Sequence, residues 1–234
     1  MKIRKNLFYL SGGLYGQLGN VFGVKHKEGI FLVDAGNPES YNTIVENLNY
    51  WGIPETSVTH VLLTHGHDDH AGTSRAFQRL GAEIVVGRAD AYMLRQGSFG
   101  VESPFQNHQM PICEPDVLIE EDTHMMIGGG EIEIYALPGH TDGSLVYQIT
   151  SDTDKILFTG DMFSCDGEKG DQASVWWKGD MNYSSQKLGE SFKRLWGMEL
   201  SPTVILGGHG NPRIGAEAKS MIMAAYKDYL LNCR

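Results

Sequence analysis

The chain has 234 residues, 41% hydrophobic and 21% charged, with a formal net charge of −10. That length can bury a sizeable core, while the acidic balance and the lack of any lysine/arginine run argue against nucleic acid or an anionic membrane as partner. No apolar run approaches the roughly 20 residues of a membrane span, and the basic Met1–Leu7 segment lacks the apolar core of a signal peptide, so a cytoplasmic protein is expected.

Residues 7–11, 20–26 and 29–35 read as short strands separated by glycine turns. The third contains Ile30-Phe31-Leu32-Val33, a continuous apolar run of the kind covered on both faces, and it ends at Asp34-Ala35-Gly36. A helix follows, with Asn37 as cap, Pro38 at its first position, and Tyr41, Ile44, Val45 and Leu48 on one face. A strand over 59–63 leads into Thr64-His65-Gly66-His67-Asp68-Asp69-His70, after which a helix is expected over 71–80 with Asp68 or Asp69 as its cap. Gly81 closes that helix, and 83–86 is another strand.

Strand–helix alternation marks an α/β layered fold. Residues 97–115 read as an irregular surface loop, and strands are expected at 116–120, 123–127, 131–136, 145–150 and 155–159. Residues 163–183 are irregular, a helix spans about 184–196, a last strand 203–206, and a terminal helix about 215–231. Cys113, Cys165 and Cys233 are widely spaced with no CxxC pair, which fits a reducing compartment without a disulfide framework.

The chemistry concentrates in 64–70, where three imidazoles and two carboxylates fall within seven residues. Neutral imidazole nitrogens and carboxylate oxygens are ligands for borderline and hard divalent cations. In an extended loop His65 and His67 project the same way, while Asp69 and His70 turn towards a second point, so one segment can serve two neighbouring metals. His140 follows the strand at 131–136, Asp161 the strand at 155–159, and His209 the strand at 203–206, each beside glycine; Asp34 closes its own strand in the same style. Ligand-grade residues at several strand ends are how an α/β scaffold assembles a site along one edge. The other histidines, His26, His60, His108 and His124, read as surface or core residues.

Thr64–His70 resembles the His-x-His-x-Asp-His motif of the metallo-β-lactamase superfamily, and Asp34, His140, Asp161 and His209 fall in the order of its other motifs. The likeness spans nearly the whole chain. It implies a single domain over 1–234, an α/β four-layer αβ/βα sandwich with the metals at the shared edge of two sheets. It further implies that His65, His67 and His140 bind one metal, that Asp69, His70 and His209 bind the other, and that Asp161 bridges them. Asp34 takes the place of the family's supporting aspartate, which holds the metal loop by hydrogen bonds. The implied cofactors are two divalent ions, zinc first, with iron or manganese as alternatives.

A water shared by two cations loses a proton near neutrality, so the resemblance implies a bridging hydroxide as nucleophile, with Asp69 orienting it and later accepting its proton. Asp161 together with His209 resembles the glyoxalase II and lactonase branch, which cleaves thioesters, esters and lactones. The chain departs from glyoxalase II in having only about 25 residues after His209 and no basic glycine-rich segment after Asp161. It departs from quorum-sensing lactonases in carrying Ser164 where they place a tyrosine. The superfamily's β-lactamases lack an aspartate in the bridging role, which ranks β-lactam hydrolysis low. The expected substrate is therefore a small ester, thioester or lactone, walled by Phe163, Trp176, Trp177 and Tyr183. The rivals are a mono-iron persulfide dioxygenase using His65, His140 and Asp161, and a phosphodiesterase, for which the chain has no basic substrate arm.

Overall fold

The computed structural model describes residues 1–13, 18–100, 103, 107–175, 178 and 182–233. The first sheet runs β1 (Lys2–Arg4), β2 (Leu7–Ser11), β3 (Val21–His26), β4 (Gly29–Val33), β5 (Val58–Leu62), β6 (Glu83–Gly87) and β7 (Val117–Ile119), in that spatial order. Strands β1 to β4 are antiparallel, and β4 to β7 are parallel. The second sheet contains β8 (Thr123–Ile127), β9 (Gly130–Ala136), β10 (Leu145–Ser151) and β11 (Asp154–Gly160). After a hairpin of β12 (Ser164–Asp166) and β13 (Gln172–Ser174), β14 (Val204–Gly207) and β15 (Arg213–Ile214) complete the order β15-β14-β11-β10-β9-β8.

Side-chain alternation along the apolar strands sets the layers. Ile30 and Leu32 of β4 point into a core shared with the helices α1 (Tyr41–Tyr50), α3 (Ser74–Arg79) and α4 (Ala91–Gln96), whereas Phe31 and Val33 point the other way. There they meet Ile134, Tyr147, Ile156, Phe158 and Leu206 of the second sheet. The alternate residues of that sheet, Val146, Leu157 and Ile205, pack beneath α5 (Ser185–Gly197) and α6 (Ser220–Asn232). A strand whose two faces are both buried must read as an unbroken apolar run, which is why 30–33 does so. The result is the expected α/β order of helices, sheet, sheet, helices.

The expected helix over 71–80 is two: α2 (Asp68–Ala71) and α3, interrupted at Gly72-Thr73. The break is tertiary. Gly72 N donates to Gly36 O at 2.8 Å and Thr73 Oγ1 to Ala35 O at 2.6 Å, and a Cβ on Gly72 would stand 2.4 Å from Pro38 N. His67, in an extended conformation, occupies the cap position expected of Asp68 or Asp69. Asn37 precedes a 3-10 turn (Pro38–Ser40), and α1 begins only at Tyr41. Residues 97–115 are not a surface loop throughout, because Phe99, Ser103, Met110 and Cys113 are buried within it. Among the described residues no helix is long and apolar enough to cross a membrane.

Candidate metal centre

Parallel strands β4 and β5, and likewise β11 and β14, deliver their carboxyl ends to one edge, where Asp34, the 64–70 loop, Asp161 and His209 follow them. Asp34 adopts a positive φ of 60°, a conformation that Asp tolerates better than most residues. Its Oδ1 accepts from Thr64 N at 2.7 Å and its Oδ2 from Thr64 Oγ1 at 2.9 Å. The same Oδ2 lies 2.9 Å from His70 Nδ1. One carboxylate therefore holds both ends of the loop and leaves His70 Nε2 facing away from it, as an outer hydrogen bond does for a ligating imidazole.

The ring nitrogens converge. His67 Nδ1 lies 3.0 Å from His65 Nε2 and 3.2 Å from His140 Nε2. Ligand atoms of His65, His67 and His140 lie within 4.8 Å of one another, as do those of Asp69, His70 and His209. A third group of the same tightness, His65, His70 and Asp161, joins the two. Asp161 stands between them: Oδ1 is 3.5 Å from His70 Nε2, and Oδ2 is 3.6 Å from His140 Nε2 and 3.4 Å from His209 Nε2. Asp69 Oδ2 lies 3.2 Å from His209 Nε2 and 3.5 Å from His70 Nε2.

Electrostatics divide the cluster in two. Burial, followed by the neighbouring imidazoles, lowers His65 well below the usual imidazole range, and burial takes His140 down to about 3. Both are thus neutral, the ligating form. Burial also opposes charge on His70 and His209. There, however, the surrounding carboxylates win: Asp69, Asp161 and Asp34 raise His70 well above its ordinary value, and Asp161 and Asp69 raise His209 to about 10. Asp69 is held well below the usual carboxylate range despite its burial, chiefly by His70 and His209.

This donor set fits a pair of divalent cations. His70 Nε2 and Asp161 Oδ1 are fully buried, face each other and have no hydrogen-bond partner. Buried polar atoms are seldom left so, and a divalent cation that displaces the His70 proton would satisfy the imidazole nitrogen and the carboxylate oxygen together.

Of the remaining residues expected at the site, Phe163 is 1% exposed and packs on Phe192 in the core under α5. Tyr183 is partly buried against that same cluster. Trp176 and Trp177 lie outside the described residues. Asp68, expected as a cap or solvated neighbour, is buried, and its carboxylate oxygens lie 3.1 and 3.2 Å from His108 Nδ1. His108 in turn stacks on Phe99, which lies against His67 with ring centroids 4.6 Å apart. Phe99 and His108 thus pack against the metal loop, and His108 belongs to the site's surroundings.

Two buried polar residues went unread in the sequence. Asn20 donates from N to Gly208 O at 2.7 Å, and from Nδ2 to Gly207 O and Gly210 O at 3.1 and 3.2 Å, around His209. Asp90, at the start of α4, reaches the backbone between His65 and His67. A carboxylate three residues past a strand end was the sequence signal for Asp90; Asn20 offered none.

The chain is 32% identical over 187 residues to metallo-beta-lactamase domain-containing protein 1 of Xenopus laevis, covering 77% of this chain and 66% of that protein. It is 31% identical over 157 residues to the uncharacterized protein YobT of Bacillus subtilis, covering 63% of each. The chain therefore spans just under two thirds of the length of both relatives. Among solved structures, the class B3 di-zinc metallo-beta-lactamase LRA-12 from an Alaskan soil metagenome superposes with a TM-score of 0.76. That match covers 100% of this chain and 93% of LRA-12 at 18% identity, which is a likeness of fold. Residues 14–209, the span in which the strand-end residues and the histidine-rich loop fall, match the metallo-beta-lactamase superfamily model, and the chain belongs to that superfamily.

Proposed function

We propose that the protein is a dinuclear metal-dependent hydrolase that cleaves a small ester, thioester or lactone. The observation that carries this reading is the linked arrangement of the three donor groups, with Asp161 common to both halves. His65, His67 and His140 would hold one cation and Asp69, His70 and His209 the other, with Asp161 shared. Bound there, two divalent cations supply an activated water and a Lewis acid for the oxyanion that forms during acyl transfer.

The chain's own residues do the rest. Asp69 keeps 21% of its side chain exposed against 8% for Asp161, so it is the carboxylate that an incoming water or substrate meets. Held ionised by His70 and His209, it can accept a hydrogen bond from a nucleophilic water and so orient it. Asp34 keeps the His70 ring turned into the site. Phe99 packs against His67, with ring centroids 4.6 Å apart, and covers one side of the first imidazole group.

The complete Asp69, His70 and His209 group argues against a mono-iron dioxygenase, which needs only His65, His140 and Asp161. The net charge of −10 argues against a phosphodiester polymer and for a small-molecule substrate. The test is metal quantification on purified protein followed by a panel of thioesters, aryl esters, lactones and β-lactams, the last because LRA-12 is a β-lactamase. Two zinc, iron or manganese ions per chain and turnover of an ester, thioester or lactone are expected, with loss of turnover and a lower melting temperature on chelation. One iron per chain with persulfide-dependent oxygen uptake would overturn the reading, and so would turnover of β-lactams alone.

A further inference from the structure

The first imidazole group is assembled from two loops far apart in sequence. His65 and His67 follow β5 of the first sheet, and His140 follows β9 of the second. The sheets pack through apolar side chains, which are non-directional and do not by themselves set three nitrogens within 3.0 and 3.2 Å. Directional links are needed: Leu145 N donates to Thr64 O at 2.7 Å and the Tyr147 hydroxyl to Leu63 O at 2.7 Å at the strand ends, and Asp90 supplies the link beside the ligands themselves.

Asp90 is fully buried, beyond β6 at the start of α4. Its Oδ2 accepts from Gly66 N at 2.9 Å and from Thr141 Oγ1 at 2.7 Å, and its Oδ1 accepts from Gly143 N at 2.8 Å. Gly66 lies between His65 and His67, and Thr141 is the residue after His140. Ser144 extends the link, its Oγ accepting from Thr141 N at 3.0 Å. The approach is close on both sides. A Cβ would stand 3.0 Å from the Asp90 Cβ if placed on Gly66, and 2.6 Å from the Asp90 Cγ if placed on Gly143. Three donors on one buried carboxylate form a satisfied and rigid node, and each donor belongs to a ligand-bearing loop.

We propose that Asp90 is the positioning residue that locks the His65–His67 loop to the His140 loop and so sets the affinity of the three-histidine metal position, independently of the Asp69–His70–His209 position. Its reach is selective, because the second position is held by other side chains. Asp34 orients His70, and Asn20 clamps the backbone on either side of His209. The inference rests on the two-metal reading above and deepens it.

The test uses full-length protein stripped of metal and titrated with Zn2+ or Co2+ against a competing chelator, so that the two equivalents are resolved. The affected equivalent is identified by comparison with His140→Ala and His209→Ala, and with Co2+ it is also read from the visible spectrum. Asp90→Asn keeps the size of the side chain but turns an N–H donor towards groups that are themselves donors. It should weaken the equivalent that His140→Ala removes by roughly 10- to 100-fold, the range for outer partners of metal ligands, and leave the other within about twofold. Asn20→Ala should do the reverse. Asp90→Ala should match Asp90→Asn, and if it fails to fold, Asp90→Asn carries the test. Equal weakening of both equivalents would reduce Asp90 to a general folding role and overturn the proposal. Two equivalents at wild-type affinity in Asp90→Asn would overturn it while leaving the two-metal reading intact. A wild-type protein that takes up no cation would overturn both.

Discussion

The two halves of the molecule contribute to the metal centre in opposite ways. The first sheet gives four of the seven candidate ligands on one stretch, His65 to His70, whose ends are held by a single carboxylate, Asp34. The second sheet gives His140, Asp161 and His209, one from each of three strand ends, set in place by glycines against which other side chains press. In the first half the spacing of ligands is covalent and the support is hydrogen bonding. In the second the spacing depends on how strands and helices pack, with Asp90 and Asn20 tying the His140 and His209 loops in place. Damage to the first half should therefore act through lost hydrogen bonds, and damage to the second through lost space as well as through the hydrogen bonds of Asp90 and Asn20.

The largest effect is expected where the halves meet. Asp161→Ala should abolish turnover of whichever substrate works, a loss beyond the roughly 100-fold that marks the upper end for outer partners, and metal analysis should show fewer than two ions per chain. Full activity in that variant would remove both the shared carboxylate and the contrast built on it. Next comes Gly208→Ala, the test of space: the added Cβ would stand 2.1 Å from Asp161 Oδ1 and 2.7 Å from His70 Cε1. Metal affinity should fall on the order of 10- to 100-fold, and an unchanged chelator competition curve would show that the second half is not held by close approach. Asp34→Asn, the test of hydrogen bonding, should cost about tenfold in affinity, concentrated on the equivalent that His209→Ala removes. An equal loss in both equivalents would blur the distinction between the halves.

The smallest effect concerns the join between sheets. Tyr147 on β10 donates to Leu63 O at 2.7 Å, beside the start of the metal loop. Tyr147→Phe should lower unfolding stability by about 1 kcal/mol. Burial raises the phenol well above its ordinary value near 10, so the folded state favours the neutral form. Its contribution is fully present below about pH 10 and is lost as pH rises from there through the folded value. The variant should therefore show a flatter alkaline limb in denaturant midpoints. A limb as steep as that of the wild type would assign the alkaline loss to other groups.

Legibility in the sequence follows the same contrast. The layered α/β order could be read because Ile30-Phe31-Leu32-Val33 and Phe158-Thr159-Gly160-Asp161 carry local signals, an apolar run and a glycine beside a carboxylate. The split of one expected helix into α2 and α3 could not, since Gly72 yields to the backbone at Gly36 and Pro38, more than thirty residues earlier. Phe163, expected in a pocket wall, packs in the core beneath α5, a position set by how the helix meets the second sheet. Asp68, expected as a cap, and His108, expected as a surface or core residue, lie forty residues apart and meet only in the folded chain.

The sequence by itself determined the donor types, the spacing of His65, His67, Asp69 and His70, and the strand-end setting of His140, Asp161 and His209. Those are properties of covalent order and of residue chemistry, and they do not depend on what packs nearby. The tertiary structure alone decided that these groups converge into overlapping sets, and that Asp90 and Asn20 clamp the loops that carry them. Hydrogen bonds between positions far apart in sequence have no local period or composition to betray them. They exist only once two apolar sheets have packed and brought their loops within reach of a single carboxylate.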